Sequence, residues 1–178
     1  MTIRVVESPE DMVEFGRRIA GVLRAGDLVV LVGDLGAGKT TLTRGIGEGL
    51  GVRGAVTSPT FVISRVHPNN SHGPALVHVD AYRLGAAVEV DDLDLDASLA
   101  ESVTVVEWGE GKVDALSEDR LIIELSHPTD DDDGDDGDDG DDGDDGDDGD
   151  DVRLLRLRPV GARWEGVDLA SVLDVGAF

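Results

Sequence analysis

The chain has 178 residues and no cysteine, which predicts a single domain with a real core and excludes disulfides and thiolate metal sites. Its net charge of −24 is concentrated in an Asp/Gly tract over residues 130–151, and without that tract the balance falls to about −8. Such an acidic surface repels phosphate backbones and argues against direct nucleic-acid binding.

The start, "MTIRVVESPEDM", has no apolar region behind a basic one, and no apolar run is long enough to span a membrane. A soluble cytoplasmic protein is expected. Thr2–Val6 suits a strand. Ser8 is the expected N-cap, Pro9 the first helical residue and Asp11 the capping-box acid. Met12, Phe15, Ile19 and Val22 then recur at helical spacing, predicting a helix to about Arg24. Leu28–Val32 is apolar throughout, as a doubly covered parallel strand should be.

The next stretch, "GDLGAGKTTLTRG", fits G-x-x-x-x-G-K-[ST] through Gly33, Gly38, Lys39 and Thr40. A helix is expected after it, with Leu42, Ile46 and Leu50 on its buried face and Gly51 as its cap. Gly45, Gly47 and Gly49 argue against that helix, each costing about 1 kcal/mol relative to Ala. Phe61–Val66 and Ala75–Asp80 read as strands joined by "HPNNSHGP". Ala86–Leu99 suggests one or two short helices, and Val103–Glu107 a buried strand. Leu121–Ser126 and Val152–Arg158 suit an antiparallel hairpin at the sheet edge, and a short helix is expected around Val167–Leu173. The sum is an α/β, three-layer P-loop NTPase domain over residues 1–178, with helices on both faces. Its sheet is mixed but mainly parallel and carries an antiparallel C-terminal edge hairpin.

In a phosphate loop, backbone N–H groups and a helix N-terminus face the phosphates. Lys39 supplies charge for the β- and γ-phosphates, and Thr40 a hydroxyl for Mg²⁺. The expected cofactors are therefore ATP and Mg²⁺. An acid at a neighbouring strand tip is also needed, and both Asp80 and Glu107 qualify. "TSPTF", Thr57–Phe61, occupies the position of a GTPase switch segment, where hydroxyls sense nucleotide, although Ser-Pro also starts ordinary turns. Trp108 and His78 fit core positions as well as site positions, and Arg65 and Arg83 fit solvated surface. The absence of N-K-x-D argues against a GTPase, and that of an S-G-G-Q-like signature against a transporter ATPase. A small-molecule kinase stays open, but no Arg-rich lid is visible.

"GDLGAGKTTLTRG", "SPTF", "HVDAYRL" and "VEWGE", in this order and at this spacing, resemble the bacterial ATPase family of tRNA threonylcarbamoyladenosine biosynthesis. The resemblance implies that Thr40 and Glu107 ligate Mg²⁺, and that Asp80 and Trp108 serve hydrolysis or its coupling. It implies a nucleotide held by Leu35, Gly36, Ala37, Gly38, Lys39, Thr40 and Thr41, with Ser8 approaching it. It also implies a partner, the threonylcarbamoyl transferase complex with its catalytic subunit and paralogous partner. That complex modifies the adenosine beside the anticodon and is reset or regulated by the ATPase, which does not itself need to bind tRNA. Two features depart from the family. Met12 stands where Thr is frequent, and the acidic tract precedes Arg153, where a quick Gly-Arg turn is usual.

The tract repeats "DDG". An EF-hand needs D-x-D-x-D-G with a Glu six residues beyond the Gly, which neither Thr129 nor the three-residue period permits. A disordered, solvated insertion is expected. Beside the partner-directed ATPase stand a nucleotide-gated protein-binding switch with incidental turnover, and a P-loop kinase.

Overall fold

The computed structural model describes residues 2–59, 63–82, 98–114, 116–128 and 151–173. Its strands are β1 (Thr2–Val6), β2 (Leu28–Val32), β3 (Ser64–His67), β4 (Ala75–Asp80), β5 (Ser102–Glu107), β6 (Arg120–Ser126) and β7 (Arg153–Val160). They form a seven-stranded sheet in the order β1-β7-β6-β2-β5-β4-β3. The four central strands run parallel, while β1, β7 and β3 join antiparallel. Central strand β2 is apolar throughout, and every residue of β5 is buried, as two-sided cover requires.

Helices α1 (Pro9–Ala20) and α2 (Lys39–Leu50) pack with the short α3 (Leu169–Leu173) into one core. That core takes Leu31 of β2, Leu76 of β4, Val105 of β5 and Ile123 of β6 from the sheet. The opposite face holds a second cluster, in which Val30, Val77, Val79 and Val106 meet Leu99 and Val113. Both faces of the central strands are therefore buried. The helices expected over Ala86–Leu99 lie mostly outside the described residues.

Several boundaries differ from expectation. Helix α1 ends at Ala20 rather than Arg24, because the N–H groups of Gly21, Val22 and Leu23 turn back three residues to Arg18, Ile19 and Ala20. The carboxylate of Asp27 then accepts the Arg24 N–H at 2.8 Å. Of the strand expected over Phe61–Val66, the described part begins at Ser64 and runs on to His67. The β6–β7 pair is antiparallel as expected but is not the sheet edge, since β1 adds outside β7. On that edge strand Ile3 and Val5 remain half exposed.

The three glycines that weaken α2 as a helix are explained by packing. A Cβ on Gly45 would lie 2.3 Å from the Val13 carbonyl oxygen, and one on Gly16 would lie 2.6 Å from that of Leu42. A Cβ on Gly49 would meet Ala20 Cβ at 2.5 Å, and one on Gly47 would meet Val56 Cγ2 at 2.6 Å. Helices α1 and α2 thus approach backbone to backbone, which only glycine allows.

A bidentate pair closes the C-terminal side. Arg163 donates to both Asp27 oxygens at 2.8 Å and also to the Val22 carbonyl. Asp27 is buried, so losing either partner would strand a charge.

Gly45→Ala tests the helix contact. Propensity alone would stabilise α2 by about 1 kcal/mol, whereas overpacking costs about 1–3 kcal/mol. The expected result is a lower urea midpoint at unchanged slope, and a raised midpoint would refute the close approach.

Candidate functional site

The carboxyl ends of β2, β5 and β4 meet in one row. Leu31 pairs with Glu107, and Glu107 with Asp80. Because alternate residues share a face, Leu76, His78 and Asp80 point to the α2 side, as do Val103, Val105 and Glu107. The sheet thereby delivers two carboxylates and an imidazole to the place where α2 begins.

The glycine-rich loop joins β2 to α2. Gly36 and Gly38 have φ of 82° and 100°, in the left-handed region that favours glycine. Gly38 is the N-cap and offers no side-chain cap, and the first turn carries no acid. Such an end presents backbone N–H groups and positive potential, a combination that attracts anions. Ala37 is buried in the core, while Leu35 at the loop tip is 87% exposed.

Lys39 is buried, and its Nζ donates to the carbonyls of Gly33 and Asp34, both at 2.7 Å. The same ammonium lies 3.8 Å from the centroid of the Trp108 ring. Burial pushes its pKa below the ordinary lysine value, against the opposing pull of Glu107, Asp34 and Asp80. Trp108 reaches this position from a backbone φ of 61°, unusual for a non-glycine residue. Its ring packs on Tyr82 at 5.2 Å between centroids.

Thr40 Oγ1 donates to Glu107, at 3.0 Å to Oε1 and 3.2 Å to Oε2. Glu107 Oε1 also accepts from His78 Nε2 at 2.7 Å. Asp80 Oδ1 accepts the Tyr82 N–H at 3.0 Å. Glu107, Asp80 and His78 are all buried. A hydroxyl beside two carboxylates is the oxygen-rich set that suits a hard divalent cation such as Mg²⁺. No cluster of three or more ligating His, Cys, Asp or Glu residues occurs among the described residues, so ligands from a bound molecule or water would complete any such shell.

A pocket of about 260 Å³ is lined by Leu35, Gly36, Gly38, Lys39, Thr40, Thr41, Ser58, Asp80, Glu107 and Trp108. A smaller one of about 110 Å³ shares Gly36, Gly38 and Thr41 with it and adds Ser8, Met12 and Arg153. Between them the two pockets are lined by Ser8, the loop residues Leu35 to Thr41, Asp80, Glu107 and Trp108. Ser8 is also the α1 N-cap, accepting the Asp11 N–H at 3.1 Å and donating to Asp11 Oδ2 at 2.8 Å. Met12 packs against the loop, its Cε 3.2 Å from where a Gly38 Cβ would stand. Arg153 reaches the second pocket although the acidic tract precedes it.

Of "TSPTF", Ser58 lines the main pocket, Thr57 Oγ1 accepts from Arg65, and Thr60 and Phe61 lie outside the described residues, as does Arg83. Arg65 is exposed, as expected. His78 is a buried strand histidine whose Nε2 reaches Glu107, and Tyr82, which the sequence does not single out, packs on Trp108. The signal for His78 was its position two residues before Asp80, on the same strand face. Among the described residues, no helix is long and apolar enough to cross a membrane.

The family model described as "Threonylcarbamoyl adenosine biosynthesis protein TsaE" matches residues 6–134. The tRNA threonylcarbamoyladenosine biosynthesis protein TsaE of Streptomyces coelicolor is 58% identical over 160 residues, covering 89% of this chain and 97% of the relative. Its namesake in Mycobacterium tuberculosis strain H37Rv is 47% identical over 130 residues, covering 69% and 77%. The crystal structure of Bacillus subtilis YdiB superposes with a TM-score of 0.64 at 30% identity, covering 92% of this chain and 88% of that one. The chain therefore belongs to the TsaE family of tRNA threonylcarbamoyladenosine biosynthesis proteins.

Proposed function

We propose that the chain is a Mg²⁺-dependent ATP hydrolase. In this reading it serves tRNA threonylcarbamoyladenosine formation by resetting or regulating the transferase complex, without binding tRNA itself. The observation that carries the proposal is the convergence of Lys39, Thr40, Asp80, Glu107 and Trp108 on one pocket at the N-terminus of α2.

The triphosphate sits against the backbone of Leu35–Lys39, where N–H groups and the helix end meet its charge. Lys39 exchanges the Gly33 and Asp34 carbonyls for phosphate oxygens, so the loop keeps the ammonium poised beforehand. Thr40 and Glu107 hold Mg²⁺, which supplies neutralisation of the phosphate charge. Asp80 orients the attacking water, which splits ATP into ADP and phosphate. Trp108 covers Lys39 and keeps bulk water from it. Thr41 and Ser8, at the joint between the pockets, meet the rest of the nucleotide. The acidic surface supports action on a protein partner, since it disfavours direct contact with tRNA.

ATP binding should draw Lys39 off the Trp108 ring and change the tryptophan emission in a Trp164→Phe background. Lys39→Ala should abolish that change and weaken ATP binding by about tenfold or more. An unchanged affinity would remove the phosphate role of Lys39.

Glu107→Ala should lower hydrolysis by about 10²-fold or more while nucleotide binding persists. Full complementation in cells by that variant would instead favour a nucleotide-gated switch, and phosphoryl transfer to a metabolite would favour a kinase. Mass spectrometry of tRNA from depleted cells checks the pathway role, with loss of threonylcarbamoyladenosine expected. Unchanged levels would sink it.

A further inference from the structure

His78 is a buried polar group at the site for which the proposed chemistry assigns no task. Its ring is fully buried in β4, and its Nε2 lies 2.7 Å from Glu107 Oε1. A carboxylate only accepts, so the ring donates Nε2–H to Oε1. The other ring nitrogen, Nδ1, is buried and has no hydrogen-bond partner among the described residues. A side chain serving only to fill the core would be better apolar, since an unsatisfied buried nitrogen is costly. The retained cost points to the Nε2 bond as the reason for the imidazole.

The bond has a directional consequence. Oε1 of Glu107 takes both the His78 bond and the shorter Thr40 bond, while among the described residues Oε2 takes only the 3.2 Å contact from Thr40. A glutamate's terminal torsion is broad, so an unpinned carboxylate would rotate and exchange its two oxygens. His78 itself is held by strand pairing opposite Val105 and lies on the same face as Asp80.

We infer that His78 is a positioning residue that pins Oε1 of Glu107 and so reserves Oε2, with the Thr40 hydroxyl, for a divalent cation. This rests on the proposed Mg²⁺-dependent reading of the site. It makes the imidazole an orienting group behind a carboxylate ligand, the kind of outer partner whose loss weakens metal binding more than nucleotide binding.

The test measures Mn²⁺ binding to the ADP-loaded protein by electron paramagnetic resonance, and ADP binding in the presence of EDTA. His78→Leu should lower Mn²⁺ affinity by about 10–100-fold, while ADP binding in EDTA stays within about twofold, because the phosphate loop contacts are untouched. His78→Gln, whose amide nitrogen reaches about as far as Nε2, should recover most of the Mn²⁺ affinity. If His78→Leu does not fold, His78→Asn, whose amide falls short of Glu107, takes its place in the comparison. Wild-type Mn²⁺ affinity in the Leu or Asn variant would overturn the inference. So would an equal loss of ADP binding in EDTA, or a Gln variant no better than the apolar one. Failure of the wild-type protein to bind Mn²⁺ with ADP would overturn the Mg²⁺ reading itself, and the inference with it.

Discussion

The row Leu31–Glu107–Asp80 across β2, β5 and β4 is the constraint on which the site depends. Side chains alternate along a strand, so a slip of one residue would turn Glu107 and Asp80 to the other face, away from Thr40. That register is itself enforced by burial, since Val103 and Val105 must meet the α1–α2 core while Val106 meets the opposite cluster. The polar ends of these strands are thus positioned by their apolar middles. Helix α2 must then start within reach of the row, and its backbone contact with α1 holds it there.

Concentrating Lys39, His78, Asp80 and Glu107 in a buried corner is unfavourable unless each finds partners. The chain meets most of that requirement internally. Loop carbonyls and an aromatic face satisfy the ammonium, while a hydroxyl and an imidazole satisfy Glu107. These contacts keep charged groups in fixed directions before anything binds, which is how preorganised electrostatics differ from flexible ones. The left-handed backbone at Trp108 belongs to the same economy, because it swings the indole from the strand end to cover Lys39.

How far this was legible depends on how local each cause is. The strand–loop–helix unit around Lys39 and the N-cap at Ser8 are short-range patterns, and they stand where the sequence suggests. The glycines of α2 show the opposite case. Helix propensity counts Gly45 and Gly49 as defects, and only the presence of α1 at backbone distance turns them into requirements. The bond from Arg163 to Asp27 joins residues 136 positions apart, beyond the reach of any periodicity. His78 was readable in principle by its alternation with Asp80, yet a strand histidine has so many ordinary fates that only its distance to Glu107 distinguishes it. Asp80 and Glu107 are equal candidates as strand-tip acids, and the structure sets them side by side, with the Thr40 hydroxyl on Glu107.

Arg153 shows why the length of the connection between β6 and β7 need not disturb such a site. Its position comes from strand pairing: β7 is held to β6 from Leu154 opposite Ser126 through Val160 opposite Arg120, and to β1 by Arg153 opposite Val6. Val6 in turn is buried in the main core and stands just before the Ser8 cap. The path from Ser8 to Arg153 thus runs across two paired strands and bypasses the residues between β6 and β7. Loop-closure entropy grows only with the logarithm of length, each doubling costing about 0.6 kcal/mol. Added length in a connection of that kind costs stability only weakly, while strand register delivers Arg153 to the pocket it shares with Ser8 and Gly38.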